Sequence, residues 1–207
     1  MHTTVVDHPL AAQALGRLRD ETTDRAAFRQ AMDDLAGILV VEATRTLPVV
    51  EVAIATPMTN TRAVRIDPMP LTVPVLRAGL GLLPGVLRML PDAPTGFIGV
   101  ARDEMTHEPV PYMDSVPADL EGRPVLVLDP MLATGGSLAF ACRLLRGRNP
   151  GRVSAVCVLA APEGVARIQA SGLVDELVVA SVDDHLDERA FIVPGLGDAG
   201  DRLFGTA

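Results

Sequence analysis

Asp129, Thr134, Gly135, Gly136 and Ser137 stand close together, directly after the apolar β-formers Val125 to Leu128 and directly before a helical pattern. Strand, tight loop and helix start, in that order, can aim several backbone N–H groups and two hydroxyls at one anion. Gly135 and Gly136 let the backbone come close and take up positive φ where the turn needs it. An acid at the strand's end stands where sugar hydroxyls would lie if the anion belonged to a sugar phosphate. The stretch therefore reads as a site for a phosphorylated ribose. The plainer alternative is a strand-to-helix turn with a Gly-Gly bend and a Thr or Ser cap.

Two arginines sit at similar places. Arg77 follows the apolar run 71–76, beside Gly79 and Gly81, and is placed to grip a second anion. Its alternative is a surface arginine at a turn. Arg102 follows the run 96–101 and opens a polar, Pro-containing insertion at 102–121. An arginine on such an arm could close over a polyanionic leaving group and exclude water. Pairing with its neighbours Asp103 and Glu104 is the alternative.

Residues 191–202, Phe-Ile-Val-Pro-Gly-Leu-Gly-Asp-Ala-Gly-Asp-Arg, give the second strong signal. Gly195, Gly197, Gly200 and the nearby Gly205 do not suit a regular element. They suit a backbone wrapped around a small flat ligand, anchored by Ile192, Val193, Leu196 and Leu203. Main-chain groups read an amide-like edge with high discrimination, because an unpaired group is costly. Uracil has such an edge. A flexible Gly-rich tail is the alternative.

Composition narrows the chemistry further. The 207-residue chain is 48% hydrophobic and 21% charged, an ordinary balance for one globular domain with a substantial core. Aromatics are 3% and the net charge is −8, which argues against a nucleic-acid groove. All 18 basic residues are arginine. Without lysine there is no Walker-type phosphate loop and no Schiff-base chemistry. A phosphate clamp must then use backbone amides and arginine, whose planar fork suits phosphate. Cys142 and Cys157 read as buried free thiols of a reducing compartment. No signal pattern or bilayer-length apolar run is seen, so a cytoplasmic protein with no membrane partner is expected. His8, His107 and His185 read as surface residues, and Asp183-Asp184 with Asp187-Glu188 as a solvated acidic loop rather than a metal site.

The elements that must position these residues follow from periodicity. A short amphipathic helix is expected at 10–19, and a longer one capped by Asp24. A β-pair is expected at 49–56 and 62–66 around Thr59-Asn60-Thr61. Strands are then expected at 71–76, 96–101, 124–128, 152–159 and 176–181, with helices at 80–90, 136–147 and 162–171. Alternation of this kind implies an α/β fold with a mainly parallel sheet covered on both faces. Ligands of such sheets bind beyond the carboxyl ends of the strands, where Arg77, Arg102, Asp129 and 191–202 all fall.

Together these segments resemble the uracil phosphoribosyltransferases, a type I phosphoribosyltransferase family. The likeness runs from Asp7-His8-Pro9-Leu10 to Phe204-Gly205-Thr206. Its most specific pieces are Leu76-Arg77-Ala78-Gly79-Leu80, Pro109-Val110-Pro111-Tyr112, Asp129 to Ser137, Ala161-Pro162-Glu163-Gly164 and Pro194 to Asp201. It implies a single domain over 1–207 with a Rossmann-like sheet. An N-terminal helical and β elaboration covers 1–66, a β-arm or lid 102–121, and a uracil-binding loop 191–204.

The implied reaction converts uracil and 5-phosphoribosyl diphosphate to UMP and diphosphate, through a dissociative transition state with Mg2+. By the family pattern Ala133, Thr134, Gly135, Gly136 and Ser137 hold the 5′-phosphate. Pro130, Met131 and Leu132 belong to the same donor-binding segment, and Asp129 binds the ribose hydroxyls. Arg77 and Arg102 contact the diphosphate. Ile192, Gly197 and Ala199 read uracil, and Asp198 serves the donor or its magnesium. Mg2+ is held mainly through the diphosphate. GTP as an activator and a homodimer or higher homo-oligomer are further expectations of the resemblance.

Pro130 stands where other type I relatives carry a second acid, as is usual in the uracil branch. Phe191 stands where the family commonly has Tyr, and Met105 where a Glu is common in the arm. A phosphoribosyltransferase for another base is one rival reading. A regulator that keeps the fold but binds RNA and senses nucleotides is another, and an inactive nucleotide-binding subunit a third.

Overall fold

The computed structural model describes residues 1–102 and 109–206. The chain begins with β1 (His2–Val5), α1 (Pro9–Arg19), α2 (Arg25–Ala43), β2 (Val49–Ala55) and β3 (Asn60–Ile66). Next come β4 (Leu71–Leu76), a 3-10 turn (Ala78–Gly81), α3 (Leu83–Met89), β5 (Ile98–Arg102) and β6 (Pro109–Asp114). The second half holds β7 (Val125–Leu128), β8 (Met131–Leu132), α4 (Gly136–Arg146), β9 (Val153–Ala160) and α5 (Pro162–Ser171). β10 (Glu176–Val182), β11 (His185–Leu186), β12 (Ile192–Val193) and α6 (Ala199–Phe204) complete it.

The central sheet runs in the order β1-β10-β9-β7-β4-β5-β6, with β8 also paired to β9. All of these pairings are parallel except β5 with β6, which folds back antiparallel. Strands buried on both faces must be apolar at successive positions, and alternate residues then enter different cores. Leu126 and Leu128 pack with α1, α2, α3 and α6 on one face. Val125 and Val127 pack with α4 and α5 on the other. Cys142 and Cys157 are both buried in that second core as free thiols, and burial pushes the Cys142 thiol up to about 12. They are packing residues, not nucleophiles.

The helices start where local chemistry can satisfy their free N–H groups. His8 caps α1 by accepting from the N–H of Leu10, and Asp24 caps α2 by accepting from Ala27. Pro at the first turn of α1 and of α5 costs nothing there, because that N–H has no partner in a helix.

Several sequence expectations change. The helix expected at 80–90 is split into the 3-10 turn and α3, because Pro84 can begin a helix but cannot continue one. The turn between β2 and β3 spans Thr56 to Thr59, where the Thr56 hydroxyl accepts from the N–H groups of Met58 and Thr59. β1 joins the central sheet as an edge strand beside β10, which the sequence reading did not single out. The Gly-rich 191–202 segment does contain a regular element, α6. Asp198 caps it by accepting from the N–H of Asp201.

The largest correction concerns Asp183. It is not on a solvated acidic loop but buried, next to the end of β10. Arg19, the last residue of α1, donates to Asp183 Oδ1 at 2.5 Å and to Oδ2 at 2.7 Å. Arg19 also donates to the Gly195 carbonyl at 2.8 Å, and the Gly195 N–H donates to Asp183 at 2.9 Å. Burial alone would raise the Asp183 carboxyl. Hydrogen bonds from Arg19, Gly195 and Ser181 outweigh it and hold the pKa below 3.8.

Replacing Asp183 by Ala strands the arginine and should cost about 3 kcal/mol, read from urea unfolding. A carboxyl lowered by folding adds stability above its unfolded value of 3.8 and loses it as pH falls through the folded value. The difference between the two proteins should therefore shrink below pH 3.8. An unchanged unfolding midpoint at neutral pH would remove this tie from the fold.

Candidate active site at the carboxyl edge of the sheet

Parallel pairing of Val73 with Val127 and of Pro74 with Leu128 makes β4 and β7 end side by side. Arg77 and Asp129 therefore leave the sheet as neighbours. They line one pocket of about 190 Å3 with Ala133, Thr134, Gly135, Gly136 and Ser137. Met131 and Leu132 line it as well, while Pro130 is buried and does not line it. The Leu76–Arg77 peptide is cis. Gly79 is small for a reason: a Cβ there would lie 2.4 Å from the Leu128 carbonyl oxygen, so any side chain would push the Arg77 turn off the strand end.

The loop from Ala133 to Ser137 ends in a helix cap made by backbone geometry. Gly135 is the cap residue of α4, with φ +76°. That left-handed conformation favours glycine. It leaves the first N–H groups of α4 without helical carbonyl partners, at the positive end of the helix dipole. The pocket thus presents amides, two hydroxyls and the Arg77 guanidinium, which among the described residues pairs with no carboxylate.

Asp129 is the electrostatic exception in this anion-seeking pocket. Desolvation pushes its pKa up to about 7, and the one opposing contact is a long hydrogen bond from the Met131 N–H at 3.5 Å. A carboxyl in that condition gains from any ligand that donates hydroxyls to it or brings a cation near.

A second pocket of about 280 Å3 adjoins the first and shares Ala78, Met131 and Ala133 with it. Its other wall is Arg189, Ala190, Phe191, Ile192, Gly197, Asp198 and Ala199. The wall is held from behind by arginines. Besides Arg19 on Gly195, Arg202 donates to the Leu196 carbonyl at 2.9 Å and to the Asp20 carbonyl at 2.7 Å. The Arg202 guanidinium lies 4.3 Å from the centre of the buried Phe28 ring. Arg29 fixes the Leu203 carbonyl at 2.8 Å. The N–H of Gly197 meets no carbonyl among the described residues, which leaves it open to a ligand.

The structure thus gathers Arg77, Asp129, the 130–137 segment, Ile192, Gly197, Asp198 and Ala199 around two joined pockets. Asp198 has one oxygen engaged in capping α6. Arg102 ends β5 opposite Pro109 on β6. Met105, Asp103, Glu104 and His107 lie outside the described residues. Phe191 is exposed at the mouth of the second pocket.

Sequence reasoning missed the supports Arg19, Asp183, Arg29 and Arg202, and the wall residue Arg189. The supports act on backbone carbonyls far away in sequence, so no local spacing announces them. A usable signal was available for Asp183: two adjacent acids at a strand end, before a Gly-rich loop with free amides.

Comparisons with known proteins agree with this geometry. The family model described as uracil phosphoribosyltransferase matches residues 5–206. A uracil phosphoribosyltransferase of Corynebacterium diphtheriae is 50% identical over 99% of this chain and 97% of its own. One from Corynebacterium glutamicum is 52% identical over the same shares. Among solved structures, the AQ2163 protein of Aquifex aeolicus superposes with TM-score 0.93 at 37% identity, covering 99% of both chains. The adenine phosphoribosyl transferase of Trypanosoma brucei, solved with AMP, pyrophosphate and ribose-5-phosphate, matches with TM-score 0.56. At 15% identity, over 95% of this chain and 87% of its own, it shares the fold alone. With a parallel sheet that brings an acid, a phosphate-type loop and a glycine-rich wall to one edge, the chain belongs to the uracil phosphoribosyltransferase family.

Proposed function

We propose that the chain transfers the phosphoribosyl group of 5-phosphoribosyl diphosphate to N1 of uracil, forming UMP and diphosphate. The observation that carries this reading is the pair of joined pockets. One offers amides, hydroxyls and arginine beside a desolvated acid; the other offers main chain from a glycine-rich loop. A sugar seated at their shared wall would have its phosphate in the first and its C1′ facing the second.

In this mechanism the α4 N-terminus with Thr134 and Ser137 holds the 5′-phosphate, and Asp129 accepts from the ribose hydroxyls. Arg77 and Arg102 take the charge of the departing diphosphate. Ile192, Gly197 and Ala199 hold uracil so that N1 faces C1′. As diphosphate leaves, positive charge develops on C1′ and the ring oxygen, so pre-placed charge counts for more than covalent help. The described titratable groups along the second pocket are Arg189 and Asp198. Asp198 is engaged in capping α6, so in this reading the C1′–N1 bond forms as the C1′–O bond to diphosphate breaks, and the N1 proton leaves late, to water or to the departing diphosphate.

Carboxylate oxygens of Asp129 and Asp198 suit a hard cation such as Mg2+. No group of three or more acidic, His or Cys side chains among the described residues could hold a metal ion. When bound with the diphosphate, Mg2+ would supply neutralisation of the leaving charge, with Asp129 and Asp198 the carboxylates nearest to hand.

Among the described residues the β2–β3 hairpin pairs with no other strand, and it exposes Val49, Val50, Ile54 and Val64. A two-stranded hairpin is marginal alone, which supports a homodimer in which a second copy covers it. GTP enters through the resemblance only; velocity with and without it tests that part. Among the described residues no helix is long and apolar enough to cross a membrane, and a cytoplasmic salvage role fits that. The RNA-binding regulator finds no support in a chain of net charge −8.

The decisive assay offers phosphoribosyl diphosphate and Mg2+ with uracil, cytosine, hypoxanthine or adenine. UMP from uracil alone is expected; product from a purine would mean that the glycine-rich wall has been misread.

Asp129→Asn should lower kcat/KM about a hundredfold with folding intact. Folding raises the Asp129 pKa from 3.8 to about 7, so between those values the native protein keeps a proton that the unfolded chain has lost. The ligand-free protein therefore loses stability as pH rises through this window, and Asp129→Asn removes that loss. The Tm of the variant relative to the parent should be higher at pH 8 than at pH 4. Loss of its thermal transition would instead mark Asp129 as a structural residue.

Gly197 lines the second pocket, and Gly197→Val adds bulk to that wall; the nearest atom to its Cβ, Cδ of Arg202, is 3.8 Å away. With φ at +80°, roughly 1 kcal/mol of strain is expected, so Tm should fall slightly. KM for uracil should rise at least about tenfold, equivalent to ~1.4 kcal/mol. Unchanged uracil saturation would take this loop out of the site.

A further inference from the structure

Arg167 lies on α5, and its guanidinium reaches back over the phosphate-type loop. Nη1 of Arg167 donates to the Thr134 carbonyl at 3.4 Å. Cδ of the same side chain lies 3.5 Å from where a Gly135 Cβ would stand. The most telling point is at Gly136. A Cβ built there would be 3.7 Å from Arg167 Nη1 and 3.7 Å from Thr134 Oγ1. The missing side chain thus leaves a notch flanked by a guanidinium on one side and a hydroxyl on the other, directly over the start of α4.

Arg167 is exposed, and no carboxylate among the described residues forms an ion pair with it. Its one hydrogen bond among the described residues is long and goes to a carbonyl, which leaves most of the five guanidinium N–H donors unused there. The neighbouring Glu163 is engaged elsewhere, accepting from the Leu186 N–H at 3.2 Å. A guanidinium beside unpaired helix amides and a hydroxyl is the donor set for a phosphate dianion. In a chain without lysine, arginine is also the one side chain of fixed positive charge that could supply it.

We infer that Arg167 is an additional binding residue for the 5′-phosphate end of the substrate and product, closing the phosphate loop from the α5 side. The inference rests on the donor-site reading above. It adds a specific division of labour: Arg167, beside Gly135 and Gly136 but outside the pocket lining, serves the 5′-phosphate, whereas Arg77, which lines the pocket, serves the diphosphate.

The test uses the full-length protein and its Arg167→Gln and Arg167→Lys variants. Binding of ribose 5-phosphate, UMP, uridine and inorganic diphosphate is measured for each by calorimetry or by competition in the assay. Arg167→Gln should weaken ribose 5-phosphate and UMP roughly tenfold, as for loss of one charge-assisted hydrogen bond at an exposed site. Uridine and diphosphate should bind as before. KM for phosphoribosyl diphosphate should rise with them while KM for uracil holds. Arg167→Lys should fall between the two proteins, because an ammonium keeps the charge but not the fork.

Unchanged ribose 5-phosphate and UMP binding in Arg167→Gln would overturn the inference. So would equal weakening of diphosphate, which would mean that the side chain only braces the loop. If the unsubstituted protein bound neither ribose 5-phosphate nor UMP and made no UMP, the donor-site reading itself would fail, and the two failures are therefore distinct.

Discussion

The hydrogen-bonded ladder between β4 and β7 is the constraint on which the site depends. Pairing Val73 with Val127 and Pro74 with Leu128 decides that Arg77 and Asp129 emerge together. A slip of one residue would turn Leu126 and Leu128 towards the wrong core and move Asp129 away from Arg77 at the same time. Because both faces of the sheet are covered, that slip is opposed by two independent sets of apolar contacts. The alignment of the chemical groups is thus held by the cores rather than by contacts among the groups themselves.

Charge is distributed in keeping with this. At the amino edge of the sheet arginines are matched with acids: Arg146 with Asp175, Arg148 with Asp114 and Arg152 with Glu176. At the carboxyl edge Arg77 and Arg167 have no carboxylate partner among the described residues, and Asp129 has no arginine. The matched pair there, Arg19 with Asp183, stands behind the glycine-rich wall rather than in the pocket. Arginine suits both duties. Its fork can chelate carbonyl oxygens of an irregular backbone, as Arg202 does, or a carboxylate and a carbonyl together, as Arg19 does. A lysine could not span Leu18, Leu196 and Asp20 as the Arg202 guanidinium does.

Much of this was legible in the sequence because parallel strands and their helices obey short-range rules. Val125–Leu128 is an unbroken apolar run because both faces are buried, and α2 starts where Asp24 can cap it. Arg77, Asp129 and Thr134 to Ser137 were legible because strand ends are where such sheets place their chemistry. Other features depend on distant partners. β1 is only four residues long and becomes a strand because β10 offers an open edge. α6 was hidden by Gly197 and Gly200, whose presence outweighed the Asp198 cap and the apolar spacing of Ala199 and Leu203. Asp183 looked solvated because its partner, Arg19, is 164 residues away. Asp198 carried more than one duty: the resemblance gave it to the donor, whereas its local chemistry also makes it a helix cap.

In the proposed function this pocket receives two anions, and its own groups are arranged for them. Unpaired arginines, free helix amides and a desolvated Asp129 each raise the energy of the ligand-free protein. Each becomes favourable only when phosphates and hydroxyls arrive. The apolar strands and the arginine–carbonyl ties behind the wall supply the stability that this arrangement forgoes, which is why the support residues lie so far from the pocket in sequence. In the proposed reaction fixed dipoles and charges need no reorganisation, so what weakens the fold would also lower the barrier. The stability of the cores and the reactivity of the edge are thus two sides of one distribution of charge, and a substitution that relaxes the edge should make the protein sturdier and slower together.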